Sequence, residues 1–250
     1  MLISIIIPFY NELELIDRAI SSVANQKIPN LNVSLEIILI NDGNHTEDEI
    51  RRALSLGSNK AILYLKNNGD HGAGPARNAG IDVSSGSYIA FLDADDFWLS
   101  NKLLFQIPLI YKGFNFVTCA YAFESHGNVV TPPKRIISSI DFLMKLSVGT
   151  STVIISRDLV SFFRFTKANF CQDTQLWAKI FSLSSVSYAS CNEALVVYSQ
   201  STRTANKFNQ AISFWCILNS LEIHSLWSKS IIFFRYMLRG LKNHYLVRFL

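Results

Sequence analysis

Three carboxylates stand within four positions, at Asp93, Asp95 and Asp96, directly after the apolar and β-favouring run of residues 88–92. A buried strand that ends in clustered acids places hard oxygen ligands at the carboxyl edge of a sheet, where open α/β sheets bind their ligands. Repulsion among the three charges costs stability, and Mg²⁺ or Mn²⁺ that bridges carboxylates to a substrate's phosphates would remove it. The alternative is an acidic loop that caps the following helix. The pattern favours the cation site.

Polar residues also follow the earlier apolar runs. Asn11, the predicted N-cap of the first helix, follows the first run, Asp42 follows the second, and the glycine-rich loop of residues 67–74 follows the third. These runs alternate with helical spacing of apolar residues, which is typical of a doubly wound, mostly parallel α/β sheet with flanking helices. All four strand ends would then meet at one edge of the sheet. We therefore predict a nucleotide site there; the alternative is ordinary loop composition.

The glycine-rich loop leads into a predicted helix over residues 75–83. Backbone amides at a helix N-terminus attract phosphate, and the guanidinium of Arg77 could hold phosphate in a fork. The loop is not a Walker loop, because no Gly-Lys-Ser/Thr follows it. The dinucleotide fingerprint is also absent, since Pro8 and Asn11 occupy the turn after the first strand.

The net charge of +4 over 250 residues is unevenly distributed. Residues 1–200 hold 16 Lys+Arg and 18 Asp+Glu, whereas residues 201–250 hold 7 Lys+Arg and only Glu222. A basic excess confined to an apolar tail argues against nucleic-acid binding, which needs a basic face spread over the protein. The 4 cysteines form no Cys-x-x-Cys pair, which indicates buried thiols in a reducing compartment.

The sequence pattern of the second half of the chain predicts a less regular α/β arrangement. Helices are predicted over residues 102–111, 140–146 and 173–181, and strands over residues 115–123, 129–131, 152–156 and 194–198. From about residue 210 onward the chain forms a predicted C-terminal helical tail. The tail either lies on an anionic membrane or packs on the preceding domain or a second subunit. No apolar run is long enough to predict a spanning helix.

Five segments carry a resemblance when they are taken together. They are residues 5–11 (IIIPFYN), 41–43 (NDG), 76–80 (ARNAG), 91–98 (FLDADDFW) and 172–177 (QDTQLW). In this order the chain resembles the family 2 glycosyltransferases, inverting enzymes with the GT-A nucleotide-sugar-binding fold. The resemblance implies a catalytic domain over residues 1–205, with a nucleotide-sugar side of about residues 1–115 and an acceptor side of about residues 116–205. Residues 206–250 would be the basic apolar tail.

The resemblance implies roles for several residues on the donor side. Pro8 and Asn11 would shape the floor of the nucleotide site, and Asp42 would accept a hydrogen bond from uracil. Arg77 would contact the nucleotide. Arg203 follows the last predicted strand, where family members often place a basic loop over the diphosphate.

By the same resemblance, Asp93 and Asp95 are the Asp-x-Asp pair. Asp95 would hold Mn²⁺ or Mg²⁺ on the diphosphate, and Asp93 would face the ribose or sugar beside the metal. Asp96 would orient the site. The cation would neutralise the charge that develops on the departing diphosphate.

Asp173 is the catalytic base that the resemblance implies. Inversion in one displacement needs a carboxylate to take the proton of the attacking acceptor hydroxyl. Family members commonly carry Glu-Asp here, whereas this chain has Gln172 before Asp173. The alternative for Asp173 is a helix cap. Residues 149–152 either line the acceptor pocket or form an ordinary polar turn.

The expected function is transfer of a hexose, glucose or galactose, from a UDP-sugar to a glycan acceptor. N-acetylglucosamine on diphospho-undecaprenol, in O-antigen or other surface polysaccharide assembly, is the expected acceptor. The enzyme would then be cytoplasmic and peripheral on the inner face of the cell membrane. Two rivals stay open: a nucleotidyltransferase that makes nucleotide-sugars, and a non-catalytic module that binds nucleotide-sugars.

Overall fold

A computed structural model describes residues 1–29, 32–54, 62–67, 69–125, 127–167, 171–199, 207–221 and 225–246. The strands in this part of the chain are β1 (Leu2–Phe9), β2 (Ser34–Asn41), β3 (Ile62–Lys66), β4 (Tyr88–Phe91), β5 (Phe97–Trp98), β6 (Phe116–Phe123), β7 (Val129–Val130), β8 (Ile154–Ser156) and β9 (Tyr188–Tyr198). The helices are α1 (Ile16–Ala24), α2 (Glu47–Ala53), α3 (Ala73–Val83), α4 (Lys102–Tyr111), α5 (Ser139–Lys145), α6 (Arg157–Phe162), α7 (Gln172–Ile180), α8 (Lys207–Ser220) and α9 (Leu226–Leu246).

The described strands form one sheet in the order β3-β2-β1-β4-β8-β6-β9-β5, with β7 paired to β6. β1 runs parallel to both β2 and β4, and β2 runs parallel to β3. Phe9 pairs with Asn41, and Asn41 pairs with Lys66, so the carboxyl ends of these strands lie side by side. The predicted α/β class, with a mostly parallel sheet and flanking helices, is confirmed.

The sheet becomes mixed in its second half. β8 pairs antiparallel with β4 and with β6, while β6 and β9 run parallel. The last strand was predicted over residues 194–198 but begins at Tyr188, because its first half pairs with β6 through polar as well as apolar positions. The short helix α6 was not predicted from the sequence.

The predicted capping of the first helix by Asn11 is wrong. The helix begins at Ile16 and has Leu15 as its N-cap. Instead, the carboxylate of Glu12 accepts hydrogen bonds from the backbone N–H groups of Tyr10 and Asn11, which closes a turn ahead of the helix. The turn directs this segment along the sheet edge before the helix begins.

Two buried layers, one on each face of the sheet, hold the carboxyl edge in place. One layer packs α1 and α4 against the sheet through residues such as Ile5, Ile20 and Ile107. The other contains Trp177, whose ring meets Phe116 edge-on with centroids 5.3 Å apart. Burial of this large aromatic side chain fixes α7, and with it the position of Asp173 one turn away.

The tail packs on the domain through one side of its helices. Phe214 of α8 and Ile232 of α9 are buried in the same core as Trp177. The rings of Phe214 and Tyr236 stack with centroids 4.0 Å apart. No helix in the described ranges has both the length and the apolar character needed to cross a bilayer.

Candidate active site

A cavity of about 800 Å³ opens at the carboxyl edge of the sheet. The sheet brings together, along its wall, the predicted residues Pro8, Asp42, Arg77, Asp93, Asp95 and Asp173. Two predicted residues stand apart. Asn11 is exposed and is not among the lining residues, and Arg203 lies outside the described residues.

Asp42 forms a polar corner with the glycine-rich loop. Its carboxylate accepts hydrogen bonds from the Asn67 amide at 2.6 Å and from the backbone N–H of Gly72 at 2.7 Å. Gly72 has φ +114°, a left-handed conformation that favours glycine, and this conformation directs its N–H at Asp42. His71 is exposed at this corner, and its Nδ1 lies 3.2 Å from Asp42 Oδ1. Asp42 is therefore held rigidly beside the N-terminus of α3.

Arg77 projects from α3 and pairs with Asp93, with Nη2 2.5 Å from Oδ1. The guanidinium is buried and lies over the ring of Phe165, 5.3 Å from its centroid. Its Nε is buried and has no hydrogen-bond partner within the described structure. The guanidinium therefore neutralises Asp93, and its Nε remains a buried, unpaired donor in a residue that lines the cavity.

The other two acids of the cluster differ in their surroundings. Asp96 is 2% exposed and accepts a hydrogen bond from Ser151 Oγ at 2.6 Å. Burial, together with the charges of Asp93 and Asp95, raises the pKa of Asp96 to about 8. Burial and the charge of Asp93 also raise the pKa of Asp95, which is partly exposed at the cavity. Asp96 therefore holds the backbone of the cluster, whereas Asp95 faces the open space.

The donor set of this corner fits a divalent cation. Burial first, and then the charge of Asp93, raises the pKa of Asp95, and Arg77 is engaged with Asp93. Among the described residues, no three acidic, histidine or cysteine side chains are grouped to hold a metal by themselves. A pair of carboxylates suffices for Mg²⁺ or Mn²⁺ when a diphosphate supplies further oxygens. Asp93 and Asp95 would be that pair.

Asp173 also lines the cavity, from the first turn of α7. Its Oδ1 accepts a hydrogen bond from the backbone N–H of Thr174 at 2.7 Å, and its Oδ2 accepts one from the Thr150 hydroxyl at 3.0 Å. The helix N-terminus favours a negative charge at this place. The N-cap of α7 is Cys171, with no side-chain cap bond, so the alternative of Asp173 as a helix cap is wrong, and Asp173 lies within the first turn at the cavity.

An aromatic wall, formed by Tyr121, Phe123 and Tyr198, closes the side of the cavity built by β6 and β9. The rings of Tyr121 and Tyr198 lie 4.6 Å apart between centroids, and those of Tyr121 and Phe123 lie 5.6 Å apart. Tyr198 OH accepts the backbone N–H of Ser151. A side chain at Gly149 would collide with that hydroxyl, so the chain needs glycine there.

Sequence reasoning missed one contributor to the site and left two unresolved. The hydroxyl of Tyr198 accepts the backbone N–H of Ser151, whose own hydroxyl bonds Asp96, and no motif in the sequence marks Tyr198. Thr150 and Ser151 belong to the segment of residues 149–152, for which an acceptor pocket and a polar turn were both open. The segment forms a 3-10 turn that lines the cavity with Gly149 and Thr150. A polar turn two residues before a strand of the same sheet was the available signal.

Comparison with known proteins agrees with this geometry. Residues 4–179 match the model of the family described as glycosyl transferase family 2. The chain is 30% identical over 249 residues to the UDP-Glc:alpha-D-GlcNAc-diphosphoundecaprenol beta-1,3-glucosyltransferase WfgD of Escherichia coli, covering 97% of this chain and 95% of that protein. The nucleotidyltransferase and the non-catalytic module are not favoured by these matches.

Solved structures show the same fold. The Staphylococcus aureus protein TarS, residues 1–349 in complex with UDP, superposes with a TM-score of 0.69 at 16% identity, over 97% of this chain and 72% of that one. The mannosyltransferase PcManGT of Pyrobaculum calidifontis, in complex with GDP-Man and Mn²⁺, gives a TM-score of 0.66 at 16% identity, over 94% of this chain and 68% of that one. The chain belongs to glycosyl transferase family 2 and has the GT-A fold of its glycosyltransferases.

Proposed function

We propose that this glycosyltransferase moves glucose from UDP-glucose to N-acetylglucosamine carried on diphospho-undecaprenol, in the assembly of a bacterial surface polysaccharide. The observation that carries the proposal is one cavity that is lined by Asp42, Arg77, the acidic cluster and Asp173. The similarity to WfgD over nearly the whole of both chains supports glucose as the sugar and this acceptor. Galactose is the second sugar to test.

The donor would lie along the carboxyl edge of β1, β2 and β4. Asp42, held by Asn67 and Gly72, is oriented to accept a hydrogen bond from a nucleobase, while Pro8 shapes the floor beneath it. Arg77 lines the cavity, and its guanidinium would donate to a phosphate oxygen. Arg203 is retained as a proposed diphosphate contact because of its place in the sequence.

Asp173 would act as the general base. Its carboxylate takes the proton of the acceptor hydroxyl as that oxygen attacks the anomeric carbon. The bond between this carbon and the diphosphate oxygen breaks, and UDP leaves with the electron pair, so an α-linked donor yields a β-linkage. The hydrogen bond from Thr150 holds the carboxylate in one orientation and leaves its second oxygen near the cavity.

A divalent cation, Mn²⁺ or Mg²⁺, would be held by Asp95 and Asp93 and would supply electrostatic stabilisation of the leaving diphosphate. Arg77 contributes in the same direction by bringing a buried positive charge next to Asp93. Asp96, anchored by Ser151, fixes the backbone that carries both ligands. The Mn²⁺ complex of PcManGT, which shares the fold, supports manganese as the first metal to test.

UDP release by the purified protein tests the proposal. UDP-glucose and UDP-galactose are each offered with a synthetic N-acetylglucosaminyl diphospholipid, with Mn²⁺ or with chelator. We expect acceptor-stimulated release from UDP-glucose that chelator abolishes and that Asp173→Asn lowers by about 10³-fold. Asp48→Asn, at an exposed acid on α2, is the matched control and should leave release unchanged.

The outcomes separate the parts of the proposal. UDP release from UDP-galactose alone would identify galactose as the transferred sugar and leave the proposed reaction unchanged. UDP release that does not depend on the lipid acceptor would show that the assigned acceptor is wrong. Full activity of Asp173→Asn would remove the assigned base. Because the acceptor is lipid-linked, the proposal also places the enzyme at the inner face of the cell membrane as a peripheral protein.

A further inference from the structure

The helix α9 carries an apolar stripe on its outer side. Trp227, Ile231, Phe234 and Leu238 are 82%, 52%, 63% and 48% exposed. Their spacing of four, three and four positions places them within about 60° of one another around an α-helix. Large side chains exposed as a continuous row, which we call the outer stripe, differ from scattered apolar residues and mark an interaction surface.

The opposite side of α9 is fixed on the domain. Ile232 is 2% exposed, and the Tyr236 ring stacks on Phe214 with centroids 4.0 Å apart. Both positions lie on the far side of the helix from the outer stripe. Packing of one side therefore sets the rotation of the helix and directs the outer stripe away from the core.

The charge around the outer stripe selects the class of partner. Residues 201–250 hold 7 Lys+Arg and only Glu222. On α9, Arg235 lies beside the outer stripe, whereas Lys229 lies on the packed side and donates a hydrogen bond to Asn219. A basic segment whose helix carries aromatic residues along its exposed side has the composition that lies in the interface of an anionic bilayer. A second copy of the chain would bring the same positive charge against this one, which opposes self-association through the stripe.

We propose that the outer stripe of α9 docks the enzyme on an anionic phospholipid surface, with Trp227 and Phe234 inserted among the head groups. The proposal rests on the proposed function, because a lipid-linked acceptor is the reason for the enzyme to bind a membrane. The binding itself depends on the outer stripe and the charge around it. The proposal also resolves the two alternatives for the tail, because one side of α9 packs on the domain and the other meets the membrane.

The docking helix also touches the wall of the cavity. The side chain of Tyr236 lies beside the thiol of Cys171, which lines the cavity two positions before Asp173. Cys171 has φ +55°, a left-handed conformation that is uncommon for a residue with a side chain. The helix that binds lipid is therefore one side-chain contact from the acceptor side of the site, where a lipid-linked substrate must arrive.

Vesicle co-sedimentation of the full chain tests the surface. The probes are vesicles of phosphatidylglycerol and phosphatidylethanolamine, compared with vesicles of phosphatidylcholine alone. We expect binding to the anionic vesicles that weakens with salt, and a loss of at least about tenfold in Trp227→Ser/Phe234→Ser. The matched control is Ile137→Ser/Phe162→Ser, which removes two apolar side chains that are 68% and 71% exposed elsewhere and should bind as the parent does.

Equal binding by Trp227→Ser/Phe234→Ser and the parent protein would overturn the proposal, as would the absence of binding to anionic vesicles. Light scattering gives a third outcome: a dimer that the double substitution dissociates would assign the stripe to a second copy. Circular dichroism of the double variant checks that α9 remains folded. Vesicle binding without UDP release from any donor would leave the surface in place and reject the proposed reaction, so the two failures are distinguishable.

Discussion

The hydroxyl of Thr150 donates a hydrogen bond to Oδ2 of Asp173 across 3.0 Å. The contact joins a turn between α5 and β8 to the first turn of α7, at the cavity. It gives the proposed base a partner that is neither substrate nor helix backbone. The orientation of the carboxylate therefore depends on a residue that is 23 positions away in the sequence.

Replacement of Thr150 by valine should lower kcat about tenfold, because the carboxylate of Asp173 loses the hydrogen bond that orients it. The KM for UDP-glucose should change little, since Thr150 faces the acceptor side. Thr150→Ser restores the hydroxyl and should restore most of kcat. A variant Thr150→Val with normal kcat, measured by UDP release, would show that the base needs no such support.

Asp95→Asn should abolish the stimulation of UDP release by Mn²⁺ and lower the rate by about 10²-fold or more, because the amide is a weaker cation ligand and carries no charge. UDP binding measured by calorimetry should lose its dependence on Mn²⁺ in this variant. Asp82→Asn, at an exposed position on α3, is the control. An unchanged Mn²⁺ dependence in Asp95→Asn would move the metal ligand elsewhere in the cluster.

Asp42→Asn should weaken UDP binding by about tenfold, since a hydrogen bond to a charged acceptor is replaced by one to a neutral group. Binding of inorganic diphosphate should stay the same, because Asp42 lies at the nucleobase corner, away from the acidic cluster. Isothermal titration with both ligands gives the comparison. Equal losses for UDP and diphosphate would indicate that the substitution disturbs the glycine-rich loop as a whole.

Tyr121→Ala should raise the KM for the glycan acceptor about tenfold and leave the KM for UDP-glucose nearly unchanged. The reason is that the aromatic wall offers ring faces to a sugar on the acceptor side of the cavity. Tyr111→Ala, which removes an exposed ring on α4, is the matched control. A rise in the donor KM instead would place the aromatic wall on the donor side.

Lys102 is fully buried, with its ammonium over the ring of Trp98 at 3.7 Å from the centroid and without a hydrogen-bond partner in the described structure. Burial lowers the pKa of Lys102 from 10.5 to about 8. Between these values the unfolded chain binds more protons than the folded one, so stability rises with pH across that window, and below about pH 8 the full cost of the buried charge is present.

Lys102→Met keeps the apolar part of the side chain and removes the free-energy cost of burying the ammonium group. We expect the free energy of unfolding to rise by about 1–3 kcal/mol at pH 7 and the gain to shrink as pH increases above 8. Lys112→Met, at the exposed end of the same helix, should change stability by less than about 0.5 kcal/mol at any pH. Urea denaturation at several pH values measures both. A loss of stability at pH 7 would mean that the cation over Trp98 outweighs its burial.

The first half of the fold followed from periodicity and turn chemistry. Apolar runs with abrupt polar ends placed the strands that lead to Asp42 and Asp93, and the parallel pairing puts those ends together, as expected. These elements are set by local pattern, because a buried parallel strand has to be continuously apolar. The helix over Lys102–Tyr111 was also predicted with the bounds it has.

The second half depends on pairings that no local pattern encodes. Insertion of β8 between β4 and β6 brings Thr150 and Ser151 to the acidic cluster, yet each segment alone reads as an ordinary turn before a short strand. Tyr198 reaches the site because β9 pairs with β6, and that pairing is determined by packing. Asn11 was assigned to the nucleotide site by its place in a motif. In the structure, the carboxylate of Glu12 accepts the backbone N–H groups of Tyr10 and Asn11, and the side chain of Asn11 is exposed.

The position of β4 has a consequence for how the protein is made. β4 pairs with β1 on one side and with β8, about 65 positions later, on the other. A growing chain that has not yet supplied β8 exposes a short, fully apolar strand edge, which is a template for aggregation. Folding that depends on such distant pairings is slow. We therefore expect a nascent chain to need protection until the ribosome has passed β8, and the part of the cavity wall that contains Tyr198 to form only after β9 emerges.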